Sequence, residues 1–148
     1  MKPLNLPPVQ LKFNQDKTSF FDPIRKKYVV MLPEEWVRQH FVHYMVNFLG
    51  YPSSLIKVEF GIRYNKLPKR PDILSYDRKG KALLLVECKS YDVKITKSVF
   101  QQVSVYNKTL QSPYVVVTNG LDHFCWHQKE SGEIAFLESV PLFDDLMD

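Results

Sequence analysis

The sequence predicts an α/β protein with a mixed central sheet flanked by helices, its elements running αβββαβ with an extra β-hairpin at each end. Three observations predict it. A stretch of helical periodicity over residues 33–49 is followed by three strand-like segments within residues 55–88. A second helical stretch at about residues 96–110 then leads into Tyr114-Val115-Val116-Val117-Thr118, a continuous apolar run typical of a strand covered on both faces. Two of the strand segments, residues 73–76 and 82–86, flank the polar break Asp77-Arg78-Lys79-Gly80-Lys81, which marks a β-hairpin.

Size and composition narrow the function. A chain of 148 residues makes one domain that buries about two-thirds of its unfolded surface without disulfides. A hydrophobic share of 45% separates it from disordered sequences. No apolar run approaches the ~20 residues of a membrane span, and prolines in the opening MKPLNLPPVQ interrupt any signal-peptide core. Two cysteines form no disulfide framework, so the expected location is a reducing cytoplasm. The net charge of +4 is compatible with a polyanionic partner. With no G-x-x-x-x-G-K-[ST] loop, the chain is expected to carry no NTP-binding motor. The expected division is an irregular segment over residues 1–19, a folded domain over 20–140 and an acidic, fraying tail over 141–148.

The elements follow in order. Phe20-Phe21 and Tyr28-Val29-Val30 flank the turn Asp22-Pro23-Ile24-Arg25 and form the first hairpin. The basic trio Arg25-Lys26-Lys27 near its tip reads as a solvated loop, with a phosphate-backbone contact as the functional alternative. Pro33, Glu34 and Glu35 open the first helix, where proline and acidic residues suit the first turn. Trp36, Val37, Phe41, Val42, Met45 and Leu49 form its apolar face, and Gly50 with Pro52 ends it. Residues 55–64 alternate as a half-buried strand, and the basic connection through Lys66, Lys69 and Arg70 leads into Asp72. Near the chain end, residues 123–128 and 134–137 form a hairpin about Lys129-Glu130-Ser131-Gly132. His123, Cys125 and His127 share one face of it; a plain strand burying Phe124 and Trp126 is favoured over a metal site, since no second Cys/His cluster completes four ligands.

The central hairpin carries the chemistry. A loop of two or four residues centred on Lys79-Gly80 pairs Asp77 with Ala82, Ile73 with Val86 and Asp72 with Glu87, whereas a loop of three or five shifts the register by one. Directly opposed carboxylates repel across about 5 Å, so such a pair is poorly suited to holding a sheet together and well suited to holding a divalent cation. Glu87 and Lys89, two apart on a strand, project to one face, and Cys88 points to the other as a small core residue.

Pro71-Asp72 followed after a hydrophobic strand by Glu87-Cys88-Lys89 resembles the PD-(D/E)xK nuclease superfamily. The wider context is similar to a stand-alone form of the N-terminal domain of type I restriction enzyme R subunits. Gln102 and Tyr106, four apart on the second helix, match the Q-x-x-x-Y signature of RecB-type and type I restriction nucleases. The resemblance implies a restriction-endonuclease-like fold and a Mg²⁺-dependent DNA endonuclease, with Mn²⁺ as a substitute. It implies Asp72, Glu87 and the Cys88 backbone carbonyl as metal ligands, and Lys89 as the group that stabilises developing charge. Gln102 and Tyr106 would position the substrate backbone, and Lys66, Lys69 and Arg70 would contact DNA. Relatives often send a glutamate from the first helix toward the metal; here Glu35 and Gln39 occupy that region, and a glutamine lacks the charge. DNA, a second copy of the chain and other subunits of a restriction or DNA-processing complex are the expected partners. A catalytically silent nucleic-acid-binding module and a structural or interaction domain are the competing readings, and the intact set Asp72, Glu87 and Lys89 favours the nuclease.

Overall fold

The computed structural model describes residues 1–58 and 71–147. In chain order its elements are strands β1 (Ser19–Asp22) and β2 (Lys27–Val30), helix α1 (Pro33–Asn47), strands β3 (Ile56–Val58), β4 (Ile73–Tyr76) and β5 (Ala82–Cys88), and helix α2 (Lys97–Leu110). Strands β6 (Tyr114–Thr118), β7 (His123–Gln128) and β8 (Ile134–Leu137) and the short helix α3 (Phe143–Leu146) complete them. The expected run α1-β3-β4-β5-α2-β6 is present in that order. Strands β3 to β8 form one sheet in sequence order, and β1 and β2 form a separate antiparallel pair. All neighbours in the large sheet are antiparallel except β5 and β6, which are parallel and joined through α2. The final hairpin therefore extends the central sheet, and the first hairpin does not join it.

Two apolar cores lie on the two faces of the sheet. On one, Val37, Phe41 and Met45 of α1 pack against Leu84, Val86, Cys88 and Val116. On the other, Val103 of α2 packs against Leu74, Leu85, Val115, Val117 and Trp126. Alternation along the strands explains this division. Helix α1 begins with Pro33 in the first turn, as expected. Its buried set includes Arg38, Gln39 and His40 as well as the apolar stripe, because the first hairpin covers its outer side. There Phe20, fully buried, stacks on Trp36 with ring centroids 6.5 Å apart.

The β4–β5 turn differs from the register expected above in an instructive way. Tyr76 pairs with Ala82, so the loop is residues 77–81 and Asp77 does not face Ala82. Asp77 closes this loop by accepting the N–H groups of Lys79 and Lys81 at 2.8 and 2.9 Å, and Gly80 takes a φ of +83°. A five-residue loop shifts the register by one, but a bulge beside Ser75 and Tyr76 shifts it back, and Ser75 pairs with Leu84 and Ile73 with Val86. Leu83 is the extra residue. Accordingly Leu83 and Leu84 both enter the α1-side core while Leu85 enters the other. Beyond the bulge, alternation sets Val86 and Cys88 toward α1 and Glu87 with Lys89 toward the α2 side.

The described residues near both termini pack on the fold. Leu4 and Leu6 pack on the α1-side core, and the Asn5 N–H donates to the Gly120 carbonyl at 2.8 Å. The acidic end is no frayed tail: Phe143, 1% exposed, meets Tyr51 edge-on at 5.4 Å, and its N–H donates to the Leu49 carbonyl. Of the strand expected over residues 55–64, Ser53–Leu55 forms a 3-10 turn and β3 follows; residues 59–64 lie outside the described residues. No described helix is long and apolar enough to cross a membrane.

Candidate functional site

Three predicted residues converge where β4 begins and β5 ends. The pairing of Ile73 with Val86 brings the residue before β4, Asp72, beside the last residues of β5. Asp72 Oδ2 accepts the backbone N–H of Cys88 at 2.7 Å, which ties the carboxylate to the strand end. Glu87 is 3% exposed, and the Lys89 ammonium lies 3.3 Å from its Oε2. Burial and then the charge of Glu87 push the Asp72 carboxyl up to about 6, against the pull of Arg38 and the Cys88 N–H. Asp72 and Glu87 are thus close enough to resist sharing two negative charges. The Cys88 thiol is raised well above its ordinary value, first by burial and then by Asp72, which leaves it neutral in the core.

A residue not singled out from the sequence, Arg38, supplies a cation to this pair. Its Nη2 donates to Asp72 Oδ1 at 2.7 Å and lies 3.2 Å from Glu34, while Nη1 lies 2.5 Å from Glu35 Oε1. Burial works against the charged guanidinium, but Asp72 and Glu35 outweigh it and keep Arg38 firmly protonated. Glu35 is shared: its other oxygen accepts from Arg25 Nη2 at 2.6 Å. Arg25 in turn pairs through Nε with Asp22 at 2.5 Å, and Gln39 donates to the same Asp22 oxygen at 2.8 Å. A continuous chain of ion pairs therefore runs Asp22–Arg25–Glu35–Arg38–Asp72. Among the described residues, Asp22, Glu34, Glu35, Asp72 and Glu87 are paired with Arg25, Arg38 and Lys89. Two neighbouring carboxylates offer the hard oxygen donors that suit a divalent cation such as Mg²⁺.

The other predicted residues fall in several places. Gln39 is 1% exposed and committed to Asp22, and Glu35 bonds both arginines, so what reaches Asp72 from α1 is Arg38. Arg25, expected in a solvated loop or on a phosphate, is buried between Asp22 and Glu35 with 5% of its side chain exposed. Lys26 and Lys27 remain exposed. Gln102 lies on the exposed side of α2, while Tyr106 is half-buried against the α2-side core. Lys66, Lys69 and Arg70 lie outside the described residues. Cys88 reaches Asp72 through its N–H. His123 bonds Thr118 and the Asn5 carbonyl through its two ring nitrogens, and Cys125 lies in the core. No group of three or more His, Cys, Asp or Glu suited to a metal occurs among the described residues. A signal for Arg38 was present: with Glu34, Phe41 and Met45 it follows the 3- and 4-residue spacing of a helix face that also carries the core. A cation on such a stripe requires a buried carboxylate.

Fold and site together define a mixed α/β protein with a buried carboxylate pair and an adjacent lysine at the end of a sheet hairpin. Residues 33–141 match the family described as Type I restriction enzyme R protein N terminus (HSDR_N), and the chain belongs to that family. It is accordingly a protein related to type I restriction systems. No curated protein matches it.

Proposed function

We propose that this protein is a metal-dependent DNA endonuclease of the PD-(D/E)xK type, with the restriction-endonuclease-like arrangement of that superfamily. The observation that carries the reading is the Asp72 carboxylate, bonded to the Cys88 N–H beside Glu87, with Lys89 3.3 Å from Glu87. Family membership supports DNA as substrate and other restriction-system subunits as partners.

Asp72 and Glu87 are the residues that would hold Mg²⁺, with Mn²⁺ as a substitute; the Cys88 carbonyl is a third candidate oxygen. When bound, the cation supplies charge neutralisation at a phosphate and acidifies water. The Cys88 N–H holds Asp72 Oδ2 so that the carboxylate does not rotate away. Glu87 holds the Lys89 ammonium, whose side chain is 24% exposed and so reaches incoming substrate. There Lys89 donates hydrogen bonds to a phosphate oxygen and offsets the charge that builds as the phosphodiester is attacked. Gln102, on the exposed side of α2, and Tyr106, four positions further along it, position the DNA backbone; Lys66, Lys69 and Arg70 are further DNA contacts.

The test is cleavage of supercoiled plasmid in Mg²⁺ or Mn²⁺ by the wild type, Glu87→Ala and Lys89→Ala, with circular dichroism verifying the fold. Cleavage is expected to vanish in Glu87→Ala and to drop by about 100-fold or more in Lys89→Ala, as for loss of one preorganised transition-state contact. Equal cleavage by all three overturns the site. DNA binding with no cleavage in either metal would favour a silent binding module on the same fold.

A further inference from the structure

We infer that Arg38 is a positioning residue that competes with a divalent cation for Asp72, and that the β1–β2 hairpin sets the strength of this competition through Arg25. The inference rests on the reading of Asp72 and Glu87 as a metal-binding pair.

Both oxygens of Asp72 already have donors, the Cys88 N–H on Oδ2 and Arg38 Nη2 on Oδ1, each at 2.7 Å. A cation approaching Asp72 therefore meets a guanidinium bonded to the same carboxylate, and like charges repel strongly where water is excluded. Arg38 has somewhere else to go. Its Nη2 is already 3.2 Å from Glu34, which is about half exposed, and Nη1 is held by Glu35. Its Nε is buried without an acceptor among the described residues, so the donor fork is incompletely satisfied in its present pose. A small turn toward Glu34 and Glu35 releases Asp72 Oδ1 while keeping the guanidinium paired.

The position of that balance depends on Glu35, which Arg25 and Arg38 share. The more of Glu35 that Arg25 holds, the less remains to draw Arg38 away from Asp72. Arg25 belongs to the turn between β1 and β2 and is fixed by Asp22. This hairpin precedes residue 33, where the family match begins. The chain thus places its own segment, outside the matched stretch, three ion pairs away from Asp72.

The experiment titrates the full chain with Mn²⁺ alone and follows free Mn²⁺ by its paramagnetic resonance signal. Variants are Arg38→Gln, Arg25→Gln and the double variant, each verified as folded by circular dichroism. Arg38→Gln is expected to bind Mn²⁺ about tenfold more tightly, within the usual range of coupling between sites, and Arg25→Gln about threefold more tightly, a smaller effect because it acts through Glu35 and Arg38. Because Arg25 acts through Arg38, the double variant is expected to bind no more tightly than Arg38→Gln. Unchanged or weaker binding by a folded Arg38→Gln overturns the inference, as does an Arg25→Gln effect that persists without Arg38. Should Arg38→Gln fail to fold, Arg25→Gln carries the test, and unchanged affinity there overturns it. Tighter Mn²⁺ binding as described, with no plasmid cleavage by the wild type, removes the nuclease reading and leaves this one standing. Plasmid cleavage with equal Mn²⁺ affinity in every variant does the reverse.

Discussion

Acidification should stabilise this fold through Asp72, against the common trend. The Asp72 carboxyl stands at about 6 in the folded protein and near 3.8 when exposed. The folded state therefore holds this proton more tightly than the unfolded chain, and stability rises as pH falls from about 6 toward 3.8. It is fully present below the unfolded value and lost as pH rises through the folded one. A separation of two pH units corresponds to about 3 kcal/mol, at roughly 1.4 kcal/mol per unit. The assay is urea unfolding of the wild type and Asp72→Asn at steps from pH 7.5 to 4, with metal removed by chelation. Carboxyls held below their ordinary value, Asp22 among them, push the other way, but they are common to both proteins and cancel in the difference. The wild type should gain on Asp72→Asn by most of that amount, about 2 kcal/mol, across the window, which ends just above the unfolded value. Saturating Mg²⁺ should abolish the gain, because a bound cation favours the ionised carboxylate. Parallel stability profiles without metal would refute the reasoning that Glu87 and burial together strain this carboxylate.

Two further outcomes test the packing around the site. Phe143→Ala removes a ring that is 1% exposed against Tyr51 and should cost about 3 kcal/mol in urea unfolding; an unchanged midpoint would mean the chain end contributes no packing. Ser75→Ala removes a hydroxyl buried at 0% exposure with no hydrogen-bond partner among the described residues, next to the bulge. It should stabilise by about 1 kcal/mol in the same assay, and a loss of stability would reveal a hydrogen bond at that oxygen.

What could be read from the sequence was what local patterning encodes. Pro33 and Glu34 mark the start of α1, the Lys129-Glu130-Ser131-Gly132 break marks the β7–β8 turn, and the apolar run at 114–118 is a strand covered on both faces. The pairing of Ile73 with Val86 also followed from pattern, although for an incomplete reason. Residues 82–86 are apolar throughout, so nothing in Leu83-Leu84-Leu85 reports which leucine is the bulged one. The role of Arg38 was harder to see because its partner Asp72 lies 34 positions away. Helical spacing singled out Glu35 and Gln39 as the reach of α1 toward the site; the intervening arginine makes the contact, and both neighbours face the first hairpin instead. That hairpin read as two short strands with a basic tip, whereas the tip arginine is a buried link between elements. Helical spacing marks Arg38 as a cation on the core stripe, but a partner 34 positions away leaves no periodic trace.

The bulge at Leu83 has a consequence for engineering. Strand faces obey a parity rule, and the odd loop and the odd bulge cancel, leaving Glu87 and Lys89 on the same side they would occupy with neither. The loop at 77–81 and the Asp72–Glu87 end of the hairpin are therefore independently adjustable, separated by about 15 Å of paired strand at roughly 3.3 Å per residue. A fluorophore or affinity tag grafted between Lys79 and Gly80 would sit at the far pole of the sheet, where length changes are absorbed without turning the site inside out. Removing Leu83 while keeping the loop would heal the bulge, because Leu84 would still face Ser75, and would leave Cys88 and Glu87 on their present faces.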